Sequence, residues 1–133
     1  MSGEAHVTIA SDADVVAARQ LGRTLAAELG FGATDLTRIA TAISEIARNI
    51  VQYAKRGEMT LRQVRDGGRD GLLVVAEDRG PGIADLSRAM QDGFTSGGGL
   101  GLGLPGSRRL MDDFSIESEV GKGTRVTMKK WKH

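Results

Sequence analysis

Leu72-Leu73-Val74-Val75-Ala76-Glu77-Asp78-Arg79-Gly80-Pro81-Gly82-Ile83 is the most informative stretch of this chain. Its run of five apolar residues predicts a central strand that is buried on both faces. Asp78 comes just after that run, and Gly80 and Gly82 follow it. A buried carboxylate needs a hydrogen-bonding partner, which could be the backbone of a tight turn or a ligand amine such as adenine N6. These residues alone leave both alternatives open.

A denser glycine cluster follows at residues 97–103, where five of seven residues are glycine. Because glycine weakens helices and strands, such a cluster indicates that the backbone comes close to a ligand, with free N–H groups facing phosphate oxygens. A helical pattern over 104–112, with Pro105 in its first turn, predicts that the cluster opens a helix. A flexible loop is the alternative. The missing Lys-Ser/Thr pair excludes a Walker A loop, and the late position in the chain argues against a dinucleotide fingerprint.

A long amphipathic helix is predicted upstream, from a cap at Thr34 to Gly57. Its apolar stripe contains Leu36, Ile39, Ala40, Ile43, Ile46, Ala47, Ile50 and Ala54. Glu45 and Asn49 lie one turn apart on the polar face. A carboxylate and an amide oxygen at this spacing could hold Mg²⁺ and orient a nucleophile. From the helix alone, a solvated polar face is the favoured alternative.

The remaining elements complete an α/β two-layer sandwich with helices on one face of a mixed, mostly antiparallel sheet. A strand and a helix precede the long helix, and a hairpin follows it, with a turn at Asp66-Gly67-Gly68 and a possible bulge at Gln63-Val64. A short helix is predicted at 86–91. A second hairpin, turning at Gly121-Lys122-Gly123, ends the chain.

Composition predicts one domain covering residues 1–133 and excludes several functions. Lys and Arg number 18 against 17 Asp and Glu, and aromatic residues are few, so nothing favours a nucleic-acid partner. Cysteine is absent, and the only histidines, His6 and His133, lie at opposite ends. No apolar stretch approaches the length of a membrane span, and a cytoplasmic protein is expected.

Taken together, the motifs resemble the four conserved boxes of the GHKL ATPase superfamily, which share the Bergerat ATP-binding fold. The boxes are the E-x-x-R-N helix at Glu45, D-x-G-x-G at Asp78, G-x-G-x-G within 97–103, and G-x-G-T ending at Thr124. Further segments, among them 14–23, 28–32, 44–50 and 76–83, are similar to the RsbT-type serine/threonine switch kinases of the bacterial stressosome.

The resemblance implies ATP and Mg²⁺ as cofactors and assigns a role to each motif residue. Glu45 would be the general base and Asn49 the Mg²⁺ ligand. Asp78 would read adenine with support from Thr124, while Gly80, Gly82 and Ile83 would adjoin the base and ribose. The phosphates would be wrapped by Gly97, Gly98, Gly99, Leu100, Gly101, Leu102 and Gly103. Arg48 has no assigned role, and pairing with Glu45 or docking of a partner are both open.

The resemblance also implies partners. A switch kinase would transfer the ATP γ-phosphate to STAS-domain proteins of the stressosome and then, once released, bind and activate a PP2C-type phosphatase. Arg19 and Arg23, one turn apart on the first helix, could contribute to docking. One alternative is an anti-sigma-factor kinase that phosphorylates an anti-anti-sigma STAS protein. The others are a nucleotide-gated binding module and a detached histidine-kinase domain.

Overall fold

The computed structural model describes residues 3–83 and 104–133, in which five strands form one sheet. The strands are β1 (Glu4–Ile9), β2 (Gly57–Asp66), β3 (Arg69–Asp78), β4 (Asp113–Glu119) and β5 (Gly123–Trp131), in the spatial order β1-β2-β3-β5-β4. All four pairings are antiparallel. The helices are α1 (Asp12–Glu28), α2 (Ala33–Asn49) and α3 (Leu104–Leu110), and α2 continues into a π-helical turn, Ile50–Ala54.

The helices pack on the sheet through apolar side chains that recur at helical spacing. Ile39, Ile43 and Ile46 of α2 are fully or almost fully buried, and each contributes roughly 1.5–3 kcal/mol by burial. The predicted amphipathic helix and the two-layer α/β sandwich are therefore confirmed. The predicted helix end at Gly57 is wrong, because the chain leaves the helical conformation at Lys55, where φ is 71°, and Gly57 is already the first residue of β2. The cap of α2 is Gly32, two residues before the predicted Thr34, because the carbonyl of Gly32 already accepts the Leu36 N–H at 2.9 Å.

Strand β3 lies in the centre of the sheet, as predicted, but the prediction of burial on both faces is wrong. Leu72, Val74 and Ala76 are buried against the helices, whereas Leu73 and Val75 are only half-buried on the opposite face. The physical reason is that among the described residues only one face of the sheet is covered by helices. The continuous apolar run therefore reflects the central position of β3 in the sheet. It does not indicate a further layer on the opposite face.

The β2–β3 hairpin is regular. Its two-residue turn, Gly67 and Gly68, has positive φ at both positions, as a type I′ turn requires. The register runs without a break from Gly57 opposite Asp78 to Asp66 opposite Arg69. The predicted bulge at Gln63-Val64 is thus absent from this pairing. Gln63 departs from the apolar alternation for another reason, since its amide donates to the Leu25 carbonyl at 2.9 Å and joins β2 to α1.

The predicted helix at 86–91 and the glycine cluster at 97–103 lie outside the described residues. Within the described ranges 3–83 and 104–133, no helix is both long enough and apolar enough to cross a membrane.

Candidate nucleotide-binding site

Asp78 ends β3 on the side of the sheet that faces the helices. The alternation of β3 places it on the same side as the buried Val74 and Ala76, and the residue itself is half-buried. One carboxylate oxygen, Oδ1, accepts the Gly80 N–H at 2.8 Å. This bond is the turn interaction that the sequence offered as one alternative. It occupies only one of the two carboxylate oxygens, so the other oxygen can still accept from a ligand.

Two hydroxyl side chains continue the row that begins at Asp78. Thr124 of β5 is the register partner of Asp78, and Ser118 of β4 is the register partner of Thr124. The two hydroxyl oxygens are 2.8 Å apart. We call Asp78, Thr124 and Ser118 the polar row. It replaces the apolar side chains of the preceding rows at the edge of the core, and it gives that edge several hydrogen-bonding groups.

Ser118 also fixes the segment that follows Asp78. Its Oγ accepts the Ile83 N–H at 2.7 Å and donates to the Gly123 carbonyl at 3.1 Å. No motif in the sequence predicts a role for Ser118. The available signal was weak: Ser118 is a polar residue on the same face of a period-two strand as the half-buried Ile116 and Phe114.

Gly80 and Gly82 are explained by contacts within the protein. A Cβ on Gly80 would lie 2.6 Å from the Cβ of Ala54, and one on Gly82 would collide with the backbone of Glu119. Both glycines therefore let neighbouring segments approach the turn after Asp78. Their expected proximity to the base and ribose of a ligand stays a prediction.

The end of α2 approaches Asp78 through a close contact at β2. A Cβ on Gly57 would lie 2.8 Å from a methyl group of Ile50 and 3.2 Å from the Asp78 Cβ. Ile50 directly follows Asn49, the last residue of α2, so Asn49 lies one residue before the segment that packs beside Asp78. Asn49 is half-buried, and π-helical turns such as the one that follows it often occur at functional sites.

Glu45 lies one turn before Asn49 and contacts Arg48. The Arg48 guanidinium donates to a Glu45 carboxylate oxygen at 3.0 Å, which confirms the pairing that the sequence left open. Glu45 also borders a groove between α1 and α2 that contains Arg19 and Arg23. The helical positions place Asn49 on the flank of α2 away from this groove, so Glu45 lies between the groove and Asn49.

The structure thus gathers Asp78, Gly80, Gly82, Ile83 and Thr124 at one end of the sheet. Asn49 immediately precedes Ile50, whose side chain packs against Gly57 beside Asp78, and Glu45 lies one helical turn before Asn49. The seven residues predicted to wrap phosphates, 97–103, are outside the described part of the chain.

The fold and this arrangement match a known family. The model of the histidine kinase-like ATPase domain matches residues 9–130, and the chain belongs to that family. It is 54% identical over 131 residues to the serine/threonine-protein kinase RsbT of Bacillus subtilis, with 98% of each chain covered. The predicted class of enzyme, an RsbT-type serine/threonine-protein kinase, is thereby confirmed.

The chain is also similar to more distant proteins. The chain is 35% identical over 101 residues to an anti-sigma F factor of Clostridium kluyveri, covering 72% of this chain and 70% of that protein. The crystal structure of the RsbU and RsbW domains of a Mycobacterium tuberculosis protein aligns with a TM-score of 0.63 at 23% identity, over 96% of this chain and 31% of that one. This last likeness concerns the fold alone.

Proposed function

We propose that this kinase transfers the γ-phosphoryl group of ATP to a serine or threonine hydroxyl of a STAS-domain stressosome protein, with Glu45 as the general base. The observation that carries the proposal is the position of Glu45 and Asn49 on the helix that ends beside Asp78. A proton acceptor, a metal-binding amide and an adenine-reading carboxylate would then follow one another along one side of the molecule.

The polar row supports adenine binding. The Asp78 carboxylate oxygen that is not bonded to Gly80 would accept from the exocyclic amine of adenine, and the Thr124 hydroxyl lies directly across the strand pair. Ser118 holds Thr124 and the Ile83 amide in place. Because these groups are already fixed by the fold, little ordering would be needed when the base binds.

Asn49 is suited to a metal ion that arrives with the nucleotide. Mg²⁺ keeps several waters and usually takes only one or two protein ligands beside substrate phosphates, so a single amide oxygen is a sufficient contribution. When bound, the ion would neutralise charge on the phosphates. The half-buried position of Asn49 at the end of α2 restricts the orientation of its amide.

The Glu45 carboxylate would remove the proton of the acceptor hydroxyl as its oxygen attacks the γ-phosphorus. The bond from that phosphorus to the bridging oxygen breaks, and ADP leaves with the bonding electrons. Positioning and charge stabilisation supply most of the catalysis in such a transfer. A general base typically contributes about 10²- to 10⁴-fold of the rate.

The proposal includes a second role after phosphorylation, in which the released kinase binds and activates a PP2C-type phosphatase. The 54% identity to RsbT favours this assignment over an anti-sigma-factor kinase, because the anti-sigma F relative is 35% identical and covers less of the chain. The two functions differ in their partner. Co-purification with a PP2C-type phosphatase supports the first, and co-purification with a sigma factor would support the second.

The direct test is transfer of radiolabelled γ-phosphate to a purified stressosome STAS-domain protein, followed by mapping of the labelled residue. We expect phosphoserine or phosphothreonine. Glu45→Ala should reduce the rate by about 100-fold or more while ATP affinity changes by less than about twofold. Glu28→Ala, a glutamate of α1, is the matched control and should keep the wild-type rate. Wild-type transfer by Glu45→Ala would disprove the assignment of the base.

A further inference from the structure

The groove between α1 and α2 combines an excess of positive charge with the proposed general base. We propose that it docks an acidic segment of the phosphoacceptor protein, and that Arg48 is shared between Glu45 and a carboxylate of that segment. This inference rests on the proposed function, since it gives Glu45 its role as base. It adds the place and the chemistry of partner recognition.

The groove is open and has a volume of about 500 Å³. Arg19 and Arg23 line it from α1, and Thr41, Ser44 and Arg48 line it from α2, with Glu45 among the lining residues. The lining residues span about one turn of α1, from Arg19 to Arg23, and about three turns of α2, from Thr37 to Arg48. The α2 side is long enough for several residues of an extended peptide. A segment lying in the groove would pass beside the Glu45 carboxylate, where an acceptor hydroxyl is needed.

The charge of the groove is unbalanced in a chain that is almost neutral overall. Its lining contains three arginines and a single carboxylate, that of Glu45. Arg19 and Arg23 are exposed, and among the residues that the structure describes neither has a carboxylate partner. Arg38 and Arg62, two exposed arginines outside the groove, are paired with Asp35 and Glu4. Other exposed arginines, such as Arg56 and Arg125, have no carboxylate partner among the described residues either, so it is the convergence of three arginines on one groove that sets this site apart. The groove therefore selects a negatively charged occupant by charge complementarity.

The Glu45–Arg48 pair is weak enough to exchange partners. Both side chains are partly exposed, 39% for Glu45 and 53% for Arg48, and such pairs contribute at most about 1 kcal/mol. A carboxylate of the docked segment can thus compete for the Arg48 guanidinium. Once Arg48 turns to that carboxylate, the Glu45 carboxylate becomes available to the acceptor hydroxyl. Docking of the acidic segment would therefore also free the Glu45 carboxylate from Arg48.

The docking site is tested by fluorescence anisotropy in the absence of nucleotide. The probe is a fluorescein-labelled peptide in which aspartates and glutamates flank one serine, compared with the same peptide carrying asparagine and glutamine. We expect the acidic peptide to bind, and the double variant Arg19→Gln, Arg23→Gln to weaken binding about tenfold and to reduce its salt dependence. The control double variant Arg62→Gln, Arg65→Gln, which removes two arginines of β2, should change the affinity by less than about twofold.

The sharing of Arg48 is tested by a double-mutant cycle with the same peptide. Glu45→Gln removes the internal competitor and should tighten acidic-peptide binding about two- to fivefold. That gain should disappear when Arg48→Gln is already present, because the freed guanidinium is then missing. Glu28→Gln, which removes a carboxylate elsewhere, should give no gain. If Glu45→Gln tightens peptide binding equally in the Arg48→Gln background, the proposed sharing of Arg48 is overturned. The tighter binding would then come only from removing one negative charge from the groove.

The outcomes separate this inference from the proposed function. Equal binding of the acidic and neutral peptides by the wild-type protein, or tighter binding of a single-stranded oligonucleotide, overturns the docking proposal even if phosphate transfer occurs. Conversely, the expected binding pattern without any phosphate transfer would retain the groove as a partner site and reject Glu45 as the base. Thermal melting of each variant confirms that it is folded.

Discussion

The hydroxyl oxygens of Ser118 and Thr124 lie 2.8 Å apart on the neighbouring strands β4 and β5. Ser118 also accepts from the Ile83 N–H and donates to the Gly123 carbonyl, so one side chain connects the segment after β3 to the β4–β5 hairpin. The Asp78 end of the sheet is held in shape by this residue, although the family resemblance assigns it no role.

Ser118→Ala should destabilise the protein and weaken ATP binding together. The substitution leaves the half-buried Ile83 N–H without its acceptor, which costs about 1–3 kcal/mol. The free energy of unfolding from urea titration and the ATP dissociation constant from calorimetry measure the two effects. Ser115→Ala, an exposed serine on the opposite face of the same strand, should change stability by less than about 0.5 kcal/mol. Equal effects of the two substitutions would contradict the connecting role.

Asp78→Asn should weaken ATP binding by roughly 10- to 100-fold, the cost of replacing a charged acceptor by an amide in one hydrogen bond. The fold should persist, because the amide oxygen can still accept the Gly80 N–H. Calorimetry gives the affinity and thermal melting the stability. Glu77→Gln is the matched control, since Glu77 is the preceding carboxylate and is exposed on the opposite face of β3. An unchanged affinity in Asp78→Asn would remove the adenine-reading role.

Gly123→Ala should be far more destabilising than Gly121→Ala. Both glycines have positive φ, 114° at Gly123 and 81° at Gly121, so both alanines carry backbone strain of about 1–3 kcal/mol. Only at Gly123 would the new Cβ also collide with the Asp78 carbonyl, whereas Gly121 faces open space. We expect Gly123→Ala to cost about 1–3 kcal/mol more in urea unfolding and to reduce ATP affinity. Similar costs at the two positions would show that the hairpin can move away from Asp78.

Lys130→Met should reduce the free energy of unfolding by about 1–3 kcal/mol. Lys130 is only 8% exposed, and its Nζ donates to the Leu110 carbonyl at 3.0 Å, near Asp112 at 3.7 Å and Asp35 at 3.9 Å. It therefore connects β5 to the end of α3 and the start of α2. Lys129→Met on the open face, where the ammonium lies 5.9 Å from the Trp131 ring centroid, should cost clearly less. A smaller loss for Lys130→Met than for Lys129→Met would exclude this connecting role.

The sequence predicted what depends on local pattern. The helical period of the isoleucines in α2 gave the helix, its buried face and the placement of Glu45 and Asn49 one turn apart. The glycine pair at Gly67-Gly68 gave the hairpin turn. The antiparallel sandwich followed from the order of these elements, and the class of kinase followed from the order and spacing of the glycine and acidic motifs. The roles of Glu45, Asn49 and Asp78 remain predictions that the experiments above address.

What depends on neighbours distant in sequence could not be predicted. Whether both faces of β3 are buried depends on whether other elements pack on both sides of the sheet. The residues of β3 alone do not determine this. Gln63 suggested a bulge because its bond to the Leu25 carbonyl of α1 is invisible in the sequence. Ser118 was missed for the same reason, since its partners Ile83 and Thr124 belong to different segments. The close approach of Ala54 to Gly80 was likewise not predictable from the sequence, and the expected place of Gly80 beside a ligand stays a prediction.

The contact between Ile50 and Gly57 has a consequence for the length of ligand that the site accepts. Residue Asn49, proposed for the metal and phosphate end, and Gly57, beside the base-reading carboxylate, belong to one short piece of backbone that includes the π-helical turn Ile50–Ala54. If Asn49 and Asp78 hold the two ends of the nucleotide as proposed, the length of this piece sets the distance between them. Inserting or deleting one residue in 50–56 would change the distance between Asn49 and Asp78 without removing any proposed binding side chain.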